Sequence, residues 1–131
     1  MKRWKKICLE NYKPYSLENS QYASKKQKKK ARAFYKKYGF RYEETWNLDH
    51  TLACYILPRL AYLRDTTHGY PGAAGSLENW QLILDKMIDA FEQIALEDEI
   101  SNLTQKEYEE RKRKIKEGLV LFGDYFQSLW D

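Results

Sequence analysis

An all-α fold, a compact bundle of about four helices led by a basic one, is what the sequence predicts, on three observations. No stretch alternates apolar and polar residues as a half-buried strand would. Ser16, Asn47, Ser76 and Thr104 each stand before a run of helix formers, where a capping side chain belongs. Within those runs the apolar residues recur every three or four positions, the spacing that gathers them on one side of a helix.

The first predicted helix follows Ser16 through LENSQYASKKQKKKARAFYKKY to a capping glycine at 39, about 21 residues. Between Ser24 and Arg32 its sole apolar residue is Ala31, so burial alone cannot hold this part, and docking falls to Leu17, Ala31, Phe34, Tyr35 and Tyr38. Residues 1 to 15 read as irregular or as a short helix ended by Pro14. The second helix is capped by Asn47 and runs to about Asp65, with Asp49 favourably placed in its first turn. Leu52, Ala53, Ile56, Leu57, Leu60 and Leu63 are expected on its inner face, and Pro58 on the outer one, where a bend suits a helix wrapping a core.

TTHGYPGAAG at 66 to 75 is a loop, and Ser76 opens a third helix to about Glu97. In that helix Trp80, Leu84, Met87, Ile88, Phe91, Ile94 and Ala95 form a core stripe. The last helix begins with the capping box T-Q-K-E at 104 to 107 and is expected to reach the terminus. Its apolar Tyr108, Ile115, Leu119, Phe122, Phe126 and Leu129 keep the spacing of a heptad seam, suited to packing on other helices or to a homo-oligomer. Gly118 and Gly123 cost helix propensity and allow close backbone approach.

A chain of 131 residues with 43% hydrophobic content is the size of one domain with a real core. No apolar run is long enough to span a bilayer, and the basic N-terminus lacks the apolar stretch of a signal peptide, so no membrane partner and no secretion are expected. Cys8 and Cys54 show no paired spacing and read as reduced thiols. The net charge of +4 is split: residues 1 to 41 carry 14 Lys and Arg against 2 Glu, and the remainder carries 9 against 17 acids. The chain thus divides into a basic arm, 1 to 41, and a helical core, 42 to 131, within one domain. The arm is built either to meet a polyanion or to fold back on its own acidic body.

W-x-L-D-x-x-x-A at 46 to 53, L-P-R-L at 57 to 60, H-G-Y-P-G at 68 to 72, K-M-I-x-A-F at 86 to 91 and G-L-x-L-F-x-x-Y-F-x-x-L-W-D at 118 to 131 occur in one order. Together they resemble a family of small, functionally uncharacterised bacteriophage and prophage proteins, over residues 44 to 131. The resemblance implies a phage accessory protein acting in the cytoplasm of a bacterial host, and carries over no catalytic residue. The basic segment before Phe40 lies outside it.

No constellation for chemistry stands out. His50 and Cys54 are four residues apart on one helix, and Cys8 with His68 would complete a zinc set, but the compact pairs of zinc sites are missing. Asp49 and His50 are helical neighbours and point about 100° apart, so an acid-base pair is disfavoured; Asp49 serves the helix start or accepts a bond from Trp46. Asp85, Asp89 and Glu92 read as a solvated ridge. The glycine-rich loop has neither a preceding strand nor a following Lys-Ser or Lys-Thr, so it is a turn rather than a phosphate cradle, and its His68 and Tyr70 are candidate partner contacts. No cofactor and no metal are expected.

The positive signal is the arm. Lys25, Lys26, Lys28, Lys29, Lys30, Arg32, Lys36, Lys37 and Arg41 surround Phe34, Tyr35, Tyr38 and Tyr42, cations for phosphates beside rings for unpaired bases, which fits RNA or single-stranded DNA. Three functions are compatible: a non-enzymatic, anti-CRISPR-like counter-defence inhibitor of a host or defence protein or ribonucleoprotein; a nucleic-acid-binding module of phage replication or transcription; and an oligomeric assembly protein.

Overall fold

The structure is a computed structural model that describes residues 5, 6, 8, 17–97 and 100–130. It is an all-α bundle whose fully described α-helices are α1 (Lys25–Tyr38), α2 (Leu48–Thr66), α3 (Leu77–Ala95) and α4 (Gln105–Asp124). Short 3₁₀ turns at Leu17–Asn19, Tyr42–Thr45, Gly72–Ala74 and Phe126–Ser128 join and end them. None of the described helices is long and apolar enough to cross a membrane.

The central helix is α3, which packs on α2 along one side and on α4 along another. Its Trp80, Leu84, Met87, Ile88, Phe91 and Ala95 are buried as the spacing predicts, with Ala90 added and Ile94 half-buried. Ser76 caps this helix by accepting from the Asn79 amide at 3.1 Å. Each large apolar side chain fully buried here contributes on the order of 1.5 to 3 kcal/mol, which makes α3 the chief source of stability.

On α2 the inner face differs from the predicted one. Ala53, Cys54, Leu57 and Leu60 are buried, while Leu52 is 54% exposed. Apolar residues occur all around this helix, so periodicity does not single out a face; the small Ala53 and Cys54 turn inward because they let α2 approach α3 closely. Pro58 is half-buried on the flank instead of facing solvent, and the helix continues through it. Arg64 ties the two helices with a forked pair to Asp85, at 2.9 Å from Nε and 3.3 Å from Nη2.

The contact of α3 with α4 is set by Gly118. A Cβ built there would stand 2.2 Å from the Ala90 Cβ and 2.6 Å from the Lys86 carbonyl oxygen. Two side-chain bridges flank this approach: Lys86 donates to Glu117 at 2.8 Å, and Arg111 donates to the Gln93 carbonyl at 3.0 Å. The second brings a cation to the C-terminal end of α3, whose last turn has no base of its own. The heptad seam predicted for α4 is therefore displaced: Tyr108, Leu119 and Phe126 are exposed, and the packed side runs through Gly118, Leu121, Phe122 and Tyr125. Thr104 caps α4 as predicted, accepting from the Glu107 amide at 3.2 Å, but the helix stops at Asp124 and is followed by a 3₁₀ turn at Phe126–Ser128.

Gly118→Ala gains about 1 kcal/mol of helix propensity and loses more, since one clashing atom belongs to the backbone and no rotamer relieves it. We expect a net loss of about 1 to 3 kcal/mol, read as a melting temperature lowered by roughly 3 to 10 °C. Gly123→Ala, where a Cβ meets nothing within 4 Å, should raise it instead. Equal effects at the two glycines would refute the close-approach assignment.

Candidate nucleic-acid interface

The basic helix α1 is shorter than predicted. Ser24, not Ser16, caps it: the Ser24 hydroxyl accepts from the Gln27 amide at 3.1 Å, and the Gln27 side chain accepts from the Ser24 amide at 2.8 Å. This reciprocal box outcompetes helix continuation through residues 20 to 23, which turn instead. Ser16 lies outside the described residues, as does Pro14. Gly39 ends α1 as expected, with φ +80° and its amide bonded to the Tyr35 carbonyl at 2.8 Å.

Among the described elements α1 packs on two 3₁₀ turns, Leu17–Asn19 and Tyr42–Thr45, and on none of the other three helices. Among the described elements its contact with the acidic part of the chain is confined to the Tyr42–Thr45 turn. A buried carboxylate, Glu43, helps join the two turns by accepting from the Leu17 amide at 3.4 Å.

At 100° per residue Lys25, Lys29, Arg32 and Lys36 fall in one line, flanked by Lys26, Lys28, Lys30 and Lys37. All of these but the half-buried Lys28 are exposed. Among the described residues the seven lysines make no ion pair. The two arginines predicted with them are engaged: Arg32 meets Glu18 at 3.4 Å, and the Arg41 guanidinium lies 4.9 Å above the Tyr35 ring.

On the other side of α1 from that line, nearest to Lys30 and to Lys37, whose ammonium lies 5.1 Å from the Tyr38 ring, runs a ribbon of rings. Phe34, half-buried, contacts Tyr38 at 4.5 Å, Phe40 at 5.7 Å and Tyr42 at 5.7 Å between centroids; Tyr42 meets Trp46 at 6.0 Å. Tyr38, Tyr42 and Trp46 remain more than half exposed. Sequence reasoning located Phe34, Tyr38 and Tyr42 and missed Phe40 and Trp46, which come from the chain beyond the helix. Their signal was an aromatic at nearly every second position between Tyr38 and Trp46.

The other candidate chemistry disperses. His50 Nε2 is 3.5 Å from the Cys54 sulfur, and Cys8 packs in the same core cluster as Cys54, whereas His68 lies in the loop beyond the far end of the helix. Burial pushes the Cys8 thiol up to about 12, reinforced by Cys54, and raises that of Cys54 too, so both stay protonated. Among the described residues no three His, Cys, Asp or Glu side chains converge as ligands. Asp49 is exposed in the first turn of α2. His68 and Tyr70 are both exposed in the loop after α2. Asp85 of the acidic ridge is engaged by Arg64.

No family model matches the chain, and no curated protein or solved structure proves similar to it.

The lysines load α1 with strain of a definite kind. Pairs at 25 and 29, 26 and 30, 25 and 28, and 26 and 29 repel, and three lysines sit at the positive end of the helix dipole. Raising the salt from about 0.01 M to about 1 M shortens the Debye length from about 30 to about 3 Å, so α1 should gain helical order. Hydrogen exchange of amides 29 to 35 reads this directly. Protection that stays flat or falls would contradict the assignment.

Proposed function

We propose that the chain is a non-enzymatic phage accessory protein that attaches, through α1 and its aromatic ribbon, to nucleic acid presented by a host or defence machine, and impedes that machine. One observation carries the reading: α1 bears seven lysines that make no ion pair among the described residues and, around its other side, exposed rings grouped about the half-buried Phe34. Phosphate contacts release counterions, and stacking on aromatic faces holds bases without regard to sequence, so the favoured ligand is single-stranded. Rings of this kind gain nothing from a duplex whose bases are already stacked. Like-charge repulsion inside α1 also falls when phosphates approach, which couples binding to helix order. The sequence resemblance to phage proteins supports the setting, and a counter-defence role, anti-CRISPR-like in kind, follows from a small binding protein aimed at a ribonucleoprotein.

Binding of a labelled oligouridylate, followed by fluorescence anisotropy, should weaken steeply with salt, with a log-log slope no steeper than about −5 for seven cations. Replacing Lys28, Lys29 and Lys30 together by Glu should abolish it, and Tyr42→Ala should cost about 1 to 3 kcal/mol. Unchanged affinity in the triple variant would sink the reading. Capture from a bacterial lysate, with and without nuclease, tests the target: recovery of no host or defence protein in either condition would count against a machine and leave a module that handles nucleic acid alone.

A further inference from the structure

A second feature lies at the other end of α2, a helix of 19 residues and so about 28 Å long. There the loop after α2 meets the 3₁₀ turn after α4, and between them is a cleft of about 170 Å³ lined by Gly69, Tyr70, Pro71, Trp80, Ser128 and Trp130. Tyr70 is 49% and Trp130 74% exposed, while Trp80 is buried beneath and held by Tyr125 at 5.4 Å between rings.

Both walls are fixed from below. Thr67, itself buried, donates its hydroxyl to the Gly69 carbonyl at 3.1 Å, and the 3₁₀ turn at Gly72–Ala74 closes the loop. The opposite wall is tied by the Ser128 amide to the Tyr125 carbonyl at 2.9 Å and by Leu129 packed on the core.

Size and charge decide the occupant. Sites for cofactors and drug-sized molecules run to about 300 to 1,000 Å³, so this cleft takes one side chain or one ring. A phosphate chain is disfavoured: there is no Lys or Arg from Thr66 to Gly75, nor from Leu119 to Trp130. What the cleft does offer is aromatic faces with hydroxyl and indole donors carried by its lining residues. A polyproline II segment matches that set, having flat apolar rings and backbone carbonyls with no internal hydrogen bonds. We propose that this cleft docks a proline-containing extended segment of a partner protein, with Tyr70 and Trp130 as its walls. The inference rests on the reading of the chain as a binding protein and is independent of the lysines.

The probe is a capped ten-residue polyproline peptide, titrated into the full chain by calorimetry, with the Trp130 indole N–H followed by NMR. Saturable binding that shifts that resonance is expected. Trp130→Ala and Tyr70→Ala should each weaken it at least ten-fold with unchanged circular dichroism, and Trp130→Phe and Tyr70→Phe should keep most of it. The Lys28, Lys29 and Lys30 to Glu variant should bind the peptide normally while losing oligouridylate, so the two readings fail separately. No saturable binding to the wild type, binding that survives both alanine variants, or displacement of the peptide by oligouridylate would each overturn the proposal.

Discussion

The approach of α4 to α3 at Gly118 fixes the geometry on which the rest of the molecule depends. With no side chain at 118, the Ala90 methyl and the Lys86 carbonyl lie against the backbone of α4, and the rotation of α4 about its axis follows from that contact. The rotation selects which residues meet the core: Leu121, Phe122 and Tyr125 go in, and Tyr108, Leu119 and Phe126 go out. Tyr125 then reaches Trp80, and the chain after it is delivered to the loop that follows α2. A helix contact dominated by small residues thus organises an end of the protein far from the contact itself.

A different economy governs α1. Its lysines contribute nothing to the core and oppose one another, so its order depends on a capping box, a terminal glycine and the rings grouped about Phe34. Such a helix is held at one end by aromatic contact and left polar along its length. Among the described residues the acid that meets this face is Glu18, paired with Arg32, and the lysines around it stay uncompensated.

How much of this was legible in the sequence varies with the chemistry of each element. α3 was readable residue by residue because its apolar and polar sides are cleanly divided. α2 was readable as a helix but not as a face, since Leu48, Leu52 and Tyr55 outside balance Leu57 and Leu60 inside, and the deciding residues, Ala53 and Cys54, carry little hydrophobic weight. In α4 a heptad count follows large side chains, whereas the packed side is centred on a glycine that no such count includes. The lysines and three of the rings could be found from one continuous stretch. Phe40 and Trp46 were legible only as an aromatic alternation just beyond the helix, and the pairing of Tyr70 with Trp130 depends on chain segments brought together by folding across 60 positions.

Because α2 is continuous through Pro58, the aromatic ribbon at its start and the aromatic cleft at its end keep one separation. If both bind as proposed, two attachment points on a stiff spacer would act as a gauge. A macromolecule that offers matching features at that distance engages the second as an intramolecular event, at an effective concentration far above its concentration in solution, and modest contacts at each end multiply. One that offers them at another distance engages a single end and dissociates quickly. Under the two proposals, discrimination between targets would reside in the length of a helix as much as in the residues at either end of it.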